Sequence, residues 1–219
     1  MSTQPRASTA DPRPVRAATP PAPAPRRRMS AGERRTQLLD IVRDIVAADG
    51  FAGVTIDRVA READVARALV YQQFTDLSGL MAALLDRESA IAMADIGTVE
   101  FADDLDQVAH RILAYLHAAP TSWRIMLSPP DGGPPELRDR LEAGRSLARR
   151  VAAAHLARHT GVGVDPDGVT LRILLAATEE LARDHLADSS TCSDADFVAY
   201  LRSLVLWAVG MESAARPPV

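Results

Sequence analysis

Polar and small side chains at helical spacing make residues 55–74 the most chemically informative part of this 219-residue chain. An Arg guanidinium can read guanine, a Gln amide can read adenine, and a Tyr hydroxyl can hold a phosphate. A short exposed helix that offers these groups suits the major groove of DNA. The residues that we expect on its outward face are Arg67, Ala68, Tyr71, Gln72 and Gln73.

The pattern around these side chains is that of a helix, a tight turn and a second helix. Thr55 is a favourable N-cap, and the apolar residues that follow it recur over about two helical turns. Asp64 tolerates the left-handed conformation that a three-residue turn requires, and Val65 can pack behind it. Val70 and Phe74 then supply the buried side of the second helix.

The order of these residues resembles the tetracycline-repressor (TetR) family of bacterial transcriptional regulators over residues 33–85. The series includes Asp49-Gly50-Phe51, Val54-Thr55-Ile56, Glu62-Ala63-Asp64-Val65 and Tyr71-x-x-Phe74. The resemblance implies an all-α chain of about nine helices, with an N-terminal three-helix helix-turn-helix domain that binds DNA and a C-terminal helical domain for ligand binding and dimerisation. The DNA-binding residues that we expect are Thr55, Arg67, Ala68, Tyr71, Gln72 and Gln73.

Several positions depart from the family pattern. Asp64 stands where the family usually has Gly, and Ala66 opens the recognition helix where the family has Ser or Thr. Leu69 stands at a position where a Thr often meets DNA, and Leu77 replaces a common Lys. A missing N-cap hydroxyl typically costs ~1 kcal/mol, and a missing Lys removes a phosphate contact. These departures weaken the expected DNA affinity more than the expected fold.

Composition favours helix packing and a cytoplasmic location. Apolar residues make up 47% of the chain while aromatic residues make up only 4%, so Ala, Leu and Val must build the core. The single cysteine, Cys192, excludes a disulfide within the chain and fits a reducing compartment. No apolar run reaches the length of a membrane span. We therefore expect a soluble cytoplasmic protein with no membrane partner.

The net charge of −4 is distributed unevenly along the chain. Residues 1–28 hold six Arg and one acid (+5), residues 29–94 seven Arg and ten acids (−3), and residues 95–219 twelve Arg and eighteen acids (−6). We interpret these segments as a disordered Arg/Pro-rich arm, the helix-turn-helix domain, and the helical ligand-binding and dimerisation domain. The arm either helps to hold DNA phosphates or is a functionless extension.

The last two predicted helices are apolar on more than one face. One is expected to start at Asp165-Pro166 and to extend to about Leu186, and the other is capped by Ser193-Asp194. Pairing them with a second copy would form a four-helix bundle and a homodimer, as the family resemblance also implies. The alternative is ordinary core within one domain. A homodimer predicts a near-palindromic operator in double-stranded DNA.

The helices between these two regions are expected to enclose a pocket for an unknown small apolar effector. A set of aromatic, aliphatic and Met side chains suits such a ligand, although the same spacing is typical of plain helical core. The candidate lining residues are Ile112, Tyr115, Leu116, Trp123, Met126 and Leu127.

Catalytic, cofactor and metal motifs are not recognisable. His110 and His117 are seven residues apart and His155 and His159 four apart, but no H-E-x-x-H pattern or Cys cluster accompanies them. We therefore expect no enzyme activity, no cofactor and no metal. The leading hypothesis is a ligand-responsive DNA-binding regulator, a repressor released by its effector. The alternatives are a helix-turn-helix-derived protein-interaction or ligand-binding module without specific DNA binding and, third, a small helical enzyme.

Overall fold

The structure is a computed structural model that describes residues 29–94, 105–161 and 163–214. Within these ranges it contains nine α-helices and no β-strand, which confirms the all-α prediction. The arm predicted at residues 1–28 lies outside the described residues. The helices are α1 (Ala31–Asp49), α2 (Ile56–Glu62), α3 (Arg67–Phe74), α4 (Leu77–Ala92), α5 (Leu105–Ala118), α6 (Pro120–Leu127), α7 (Pro135–Thr160), α8 (Val169–Leu186) and α9 (Asp194–Ala214).

Local capping sets the ends of α1. The Ser30 N–H donates to Glu33 Oε2 at 2.7 Å, and the Glu33 N–H donates to Ser30 Oγ at 3.2 Å, which completes a capping box. Hydrogen bonds from the Ser30 backbone N–H and then from the Ser30 side chain to the Glu33 carboxyl lower the pKa of that carboxyl. Gly50 ends the helix at a φ of 69°, a conformation that glycine adopts without strain.

A first hydrophobic cluster, the head core, joins α1–α4 to parts of α6 and α7. The apolar stripe of α1 is buried in this cluster, and α3 contributes Val70 and Phe74. Ile125 of α6 is completely buried in the same cluster, together with Leu137 and Leu141 of α7. The helices that precede residue 95 therefore share their core with helices that follow it.

Two further clusters hold the C-terminal helices together. The first, the body core, is built by α5, α6, α8 and α9, and includes Leu116, Leu127 and Phe197. The second joins α7, α8 and α9 through Leu156 and Leu174. Because α6 contributes Ile125 to the head core and Leu127 to the body core, this one short helix connects the two.

The start of α8 differs from the prediction. A turn at residues 165–168 precedes it, because the Gly168 N–H donates to the Asp165 carbonyl oxygen and the Asp167 N–H donates to Asp165 Oδ1, each at 3.0 Å. Asp side chains favour such turns over helix starts when they can bond the backbone two residues on. Gly168 is the N-cap, so α8 begins at Val169 and not at Asp165-Pro166.

Among the described residues, one helix is long and apolar enough to cross a membrane by length and composition, and it is α9. This finding corrects the expectation that no apolar run reaches that length. The helix begins with Asp194 and Asp196 and packs Phe197, Leu201 and Ala208 into the protein, while most of its apolar window remains exposed. Core helices of soluble proteins satisfy the same criterion when they are buried, and α9 is not buried within this chain.

Candidate nucleic-acid interface

The turn between α2 and α3 has the predicted left-handed residue. Asp64 has a φ of 51°, its N–H donates to the Arg61 carbonyl oxygen at 3.2 Å, and the Val65 N–H donates to the Ala60 carbonyl oxygen at 3.0 Å. Val65 packs against the head core behind the turn. The backbone bonds and this apolar contact fix the angle at which α3 leaves α2.

The predicted recognition helix, α3, has one buried face and one exposed face. Val70 and Phe74 are 0% and 5% exposed and anchor the helix in the head core. Tyr71 is 48% exposed on the opposite side. Of the other predicted DNA-contact residues, Gln73 is half-buried and four are exposed: Thr55, Arg67, Ala68 and Gln72.

Arg35 of α1 fixes the C-terminal end of α3, and the sequence analysis missed this residue. Its guanidinium carbon lies 4.4 Å from the centroid of the Phe74 ring, and its Nη1 donates to the Gln73 carbonyl oxygen at 2.8 Å. A cation over an aromatic face is an attractive contact. Because 38 residues separate Arg35 from Gln73, no local spacing signals it.

An open groove of about 380 Å³ runs between α3 and the first turn of α1. On the α3 side it is lined by Leu69, Gln72 and Gln73, and on the α1 side Arg34 lies at its wall. The Arg34 guanidinium also donates to Gln37 Oε1 at 2.6 Å, within its own helix. The groove therefore combines amide and guanidinium donors beside the exposed face of α3, which is chemistry that binds DNA phosphates and base edges.

Two arginines of this surface already form ion pairs with acidic side chains. Arg67 forms an ion pair with Asp57 of α2, and both side chains are more than half exposed. Arg58 bonds Glu62 Oε1 at 2.8 Å and Asp49 Oδ2 at 2.6 Å, and these two carboxylates raise the pKa of the Arg58 guanidinium. Since exposed ion pairs contribute only ~0–1 kcal/mol, a phosphate or base can compete with Asp57 for Arg67.

The N-cap residues of α2, α3 and α4 differ in their chemistry. Thr55 Oγ1 accepts the Arg58 N–H at 3.1 Å and retains its hydroxyl proton for a further acceptor. Asp76 caps α4 by accepting the Gly79 N–H at 2.7 Å. Ala66, the N-cap of α3, makes no side-chain cap bond. Leu77, at the position where the family commonly has Lys, packs against the head core instead of facing a phosphate.

Four of the six residues predicted to line an effector pocket belong to the body core or pack against it. Leu116 and Leu127 are buried in the body core, and Ile112 and Trp123 pack against it. Trp123 Nε1–H donates to the Tyr115 carbonyl oxygen at 3.0 Å, which ties α6 to α5. The two remaining residues, Tyr115 and Met126, are half-buried.

A polar network links α6 to the head. Glu88 of α4 is 1% exposed and accepts a hydrogen bond from Ser122 Oγ of α6 at 2.6 Å. Arg87 Nη2 lies 2.7 Å from Glu88 Oε1 and bonds the Leu39 carbonyl oxygen at 3.1 Å, while Arg87 Nη1 donates to Asp40 Oδ1 at 2.8 Å. The network thereby connects α6, α4 and α1.

The sequence of this chain is similar to a family model and to a known regulator. Residues 38–84 match the family model described as bacterial regulatory proteins, tetR family. An HTH-type transcriptional repressor of Streptomyces coelicolor is 31% identical over 137 residues, which cover 59% of this chain and 69% of that protein.

Solved structures share the fold. A TetR-like transcriptional regulator from Rhodococcus sp. RHA1 superposes with a TM-score of 0.64 at 19% identity, over 84% of this chain and 99% of that one. A second transcriptional regulator from the same organism gives a TM-score of 0.59 at 17% identity, over 81% of this chain and 96% of that one. At these identities the similarity establishes the arrangement of helices.

Proposed function

The chain belongs to the tetR family of bacterial regulatory proteins, and from this premise we propose that it is a soluble, cytoplasmic DNA-binding repressor. It acts as a homodimer on a near-palindromic operator in double-stranded DNA and is released by a small apolar effector. The family is one of regulators and not of enzymes. The proposed activity needs neither a cofactor nor a catalytic group.

The exposed face of α3 carries this proposal. Val70 and Phe74 hold the helix in the head core, and Arg35 fixes its C-terminal end, so the outward side chains are presented from a rigid support. Tyr71 and Gln72 stand out from this face. A preformed helix with Tyr and Gln side chains can enter a major groove with little ordering of the protein.

Binding to DNA requires an exchange of partners at Arg67. In the free chain its guanidinium is held by Asp57. On the operator, Arg67 would transfer to a guanine edge or a phosphate, and the hydroxyl of Thr55 would donate to the sugar-phosphate backbone. The start of α1 would follow the same backbone, because Arg34 lies in the groove beside α3. The Arg-rich residues 26–28 precede this groove in the sequence and would add phosphate contacts.

Exposed apolar side chains on α8 and α9 support the homodimer. The two helices pack against each other in the monomer, yet each keeps a second apolar face in solvent. Such a face is covered when two copies form a four-helix bundle with two-fold symmetry. The side chains on this face, here called the dimer face, are Val169, Ile173, Tyr200, Leu206, Trp207 and Met211.

The position of α6 supports a route from effector to DNA. An apolar ligand that separates α5 from α6 would enter at Trp123 and shift α6. Since Ile125 lies in the head core and Ser122 bonds the buried Glu88, a shift of α6 would reposition α4. A ligand with higher affinity for this second arrangement would lower operator affinity by linkage.

A salt series of DNA binding tests the proposal. Purified full-length protein and a variant lacking residues 1–28 are titrated against a duplex from the region upstream of the gene and against random duplex. We expect tighter binding to the upstream duplex by both forms, with a shallower salt dependence for the shortened one, because fewer counterions are released. Equal binding to both duplexes at physiological salt would refute specific recognition.

The alternative is a protein-interaction or ligand-binding module that no longer reads DNA. The ion pair of Arg67 with Asp57 and the net charge of −3 over residues 29–94 favour it. A double variant, Arg67→Ala with Tyr71→Ala, separates the two functions. Loss of regulation in cells supports DNA reading, whereas unchanged regulation supports the module.

A further inference from the structure

Two histidines and an aspartate from three helices meet at one end of the body core. His117 lies in the last turn of α5, His185 in the last turn of α8, and Asp194 is the first residue of α9. The Nε2 atoms of the two imidazoles are 3.1 Å apart, and Asp194 Oδ1 lies 3.5 Å from each of them. Helical spacing suggests pairing His117 with His110, but the ring of His110 contacts its own helix at the Asp106 carbonyl oxygen, 2.7 Å away.

These three distances fit a small metal ion. Zinc binds imidazole nitrogen and carboxylate oxygen at about 2.0–2.2 Å, so two ligands of a tetrahedral ion are separated by about 3.3–3.5 Å. The observed separations of 3.1, 3.5 and 3.5 Å lie within a few tenths of an ångström of that edge. Small rotations of the two rings would direct both nitrogens at one point.

His185 is held in the tautomer that a metal needs. Its Nδ1 lies 3.1 Å from the Cys192 carbonyl oxygen, which can only accept, so Nδ1 carries the proton and the neutral ring has its lone pair on Nε2. A ring N–H donated to a carbonyl is the usual outer contact of metal-bound histidine. The side chain is 7% exposed, and its ring centroid is 5.1 Å from that of Phe197. The ligand atom is therefore fixed in place.

We propose that His117, His185 and Asp194 bind one divalent transition-metal ion of the Zn²⁺ type. Two imidazoles and one carboxylate form a ligand set that suits late first-row metals better than Mg²⁺ or Ca²⁺. The side chains of His117 and Asp194 are 48% and 65% exposed, so the ion is reached from solvent and a water completes its coordination. On binding, the ion takes the place of the hydrogen between the two Nε2 atoms, and each ring binds as a neutral imidazole with its proton on Nδ1.

The nearby thiol is not part of the ligand set. The Cys192 sulfur contacts the Ser193 carbonyl oxygen at 3.7 Å, whereas the atoms that cluster are the two imidazole Nε2 atoms and Asp194 Oδ1. Cys192 therefore contributes its carbonyl oxygen, which orients His185.

The site joins the ends of three helices and does not depend on DNA binding. His117 fixes the end of α5 to the turn between α8 and α9, and Asp194 is the start of the helix that carries most of the dimer face. An ion that binds only the folded chain stabilises it by RT ln(1 + [M]/Kd). A bound ion thus adds a link between three helices of the body.

The test uses full-length, tag-free protein that has been freed of metal by chelation. Zn²⁺ is titrated by calorimetry, Co²⁺ is followed by its visible absorption, and melting temperature is measured with and without Zn²⁺. We expect one ion per chain, a tetrahedral Co²⁺ spectrum and a raised melting temperature. His117→Ala and Asp194→Asn are expected to lose more than the ~10–100-fold in affinity that removal of an outer-shell partner costs.

His110→Ala is the matched control, because it removes an exposed histidine from the same helix and leaves the three ligands intact. The control is expected to bind Zn²⁺ as the unmodified chain does. His117 and Asp194 are exposed, so their variants remain folded and circular dichroism checks this. The proposal is overturned if the unmodified chain binds no Zn²⁺, or if both ligand variants bind it as tightly as His110→Ala.

Discussion

The head core and the C-terminal helices differ in how completely they bury their apolar side chains within one chain. In the head, α1 presents one apolar stripe, and the side chains of that stripe are buried within the chain. In the body, α9 buries Phe197, Leu201 and Ala208 but leaves Tyr200, Leu206 and other large apolar groups in solvent. One chain is sufficient to bury the stripe of the head, while the body keeps the apolar surface that the proposed homodimer would cover.

The largest expected effect comes from placing a charge on the dimer face. Trp207→Glu buries a carboxylate if two copies pair there, so the protein is expected to become monomeric. Loss of the second recognition helix then lowers operator affinity by ~10²-fold or more. Light scattering coupled to size-exclusion chromatography and a DNA titration measure the two changes.

Leu147→Glu is the matched control for this charge, because Leu147 is 56% exposed on α7 and lies outside the dimer face. It is expected to remain dimeric with unchanged operator affinity. A dimeric Trp207→Glu protein would contradict the assigned surface and remove the contrast between head and body.

A cavity in the head core is expected to change stability without changing assembly. Leu80 is 0% exposed, and Leu80→Ala should lower the free energy of unfolding by ~2–5 kcal/mol. Leu147→Ala removes the same atoms from an exposed site and should change it by less than ~0.5 kcal/mol. Urea unfolding measures both variants. Similar values for the two would mean that the head is not the enclosed unit described above.

Removing the guanidinium from α3 tests how the head uses its exposed face. Arg67→Ala is expected to weaken operator binding by ~1–3 kcal/mol if Arg67 reads a base. Arg202→Ala, which removes an exposed arginine of α9, should leave operator binding unchanged.

Asp57→Asn releases Arg67 from its ion pair and removes a negative charge, so general DNA affinity should rise. Titrations at two salt concentrations compare the three variants. If Asp57→Asn weakened binding, the ion pair would be a positioning contact instead of a competitor.

The smallest effect is expected at the uncapped start of α3. Ala66→Ser supplies the missing N-cap oxygen and should stabilise the protein by ~1 kcal/mol. Ala68→Ser, two residues later and exposed inside the helix, should not, because Ser is a poorer helix former than Ala. Thermal unfolding compares the pair. Equal shifts for the two variants would show that the hydroxyl acts by some means other than capping.

Features of the fold that depend on neighbours in sequence could be predicted. The capping box of Ser30 and Glu33, the N-caps Thr55 and Asp76, and the left-handed Asp64 each involve partners within four residues. Their physical cause is local, so residue type and spacing are sufficient. The exposed and buried faces of α3 follow from the same periodicity.

Contacts between distant segments could not be predicted. Arg35 meets Phe74, Ser122 meets Glu88, and His117 meets His185 only after the helices have packed, at separations of up to 68 residues. The predicted start of α8 was wrong for a different reason. The residues from Asp165 could begin a helix or form a turn, and the turn at Asp165 was favoured. The roles of the predicted DNA and effector residues remain predictions.

Because α6 contributes side chains to both the head core and the body core, it limits where this chain can be spliced to another regulator. Ile125 fills the head core from beyond residue 95, and Leu137 and Leu141 of α7 do the same. A chimeric regulator spliced after α4 would lack these three side chains and would have a cavity in the head core. The buried carboxylate of Glu88 would also lose its hydrogen bond from Ser122. Exchangeable modules therefore need to carry α6 and the first two turns of α7 with the head.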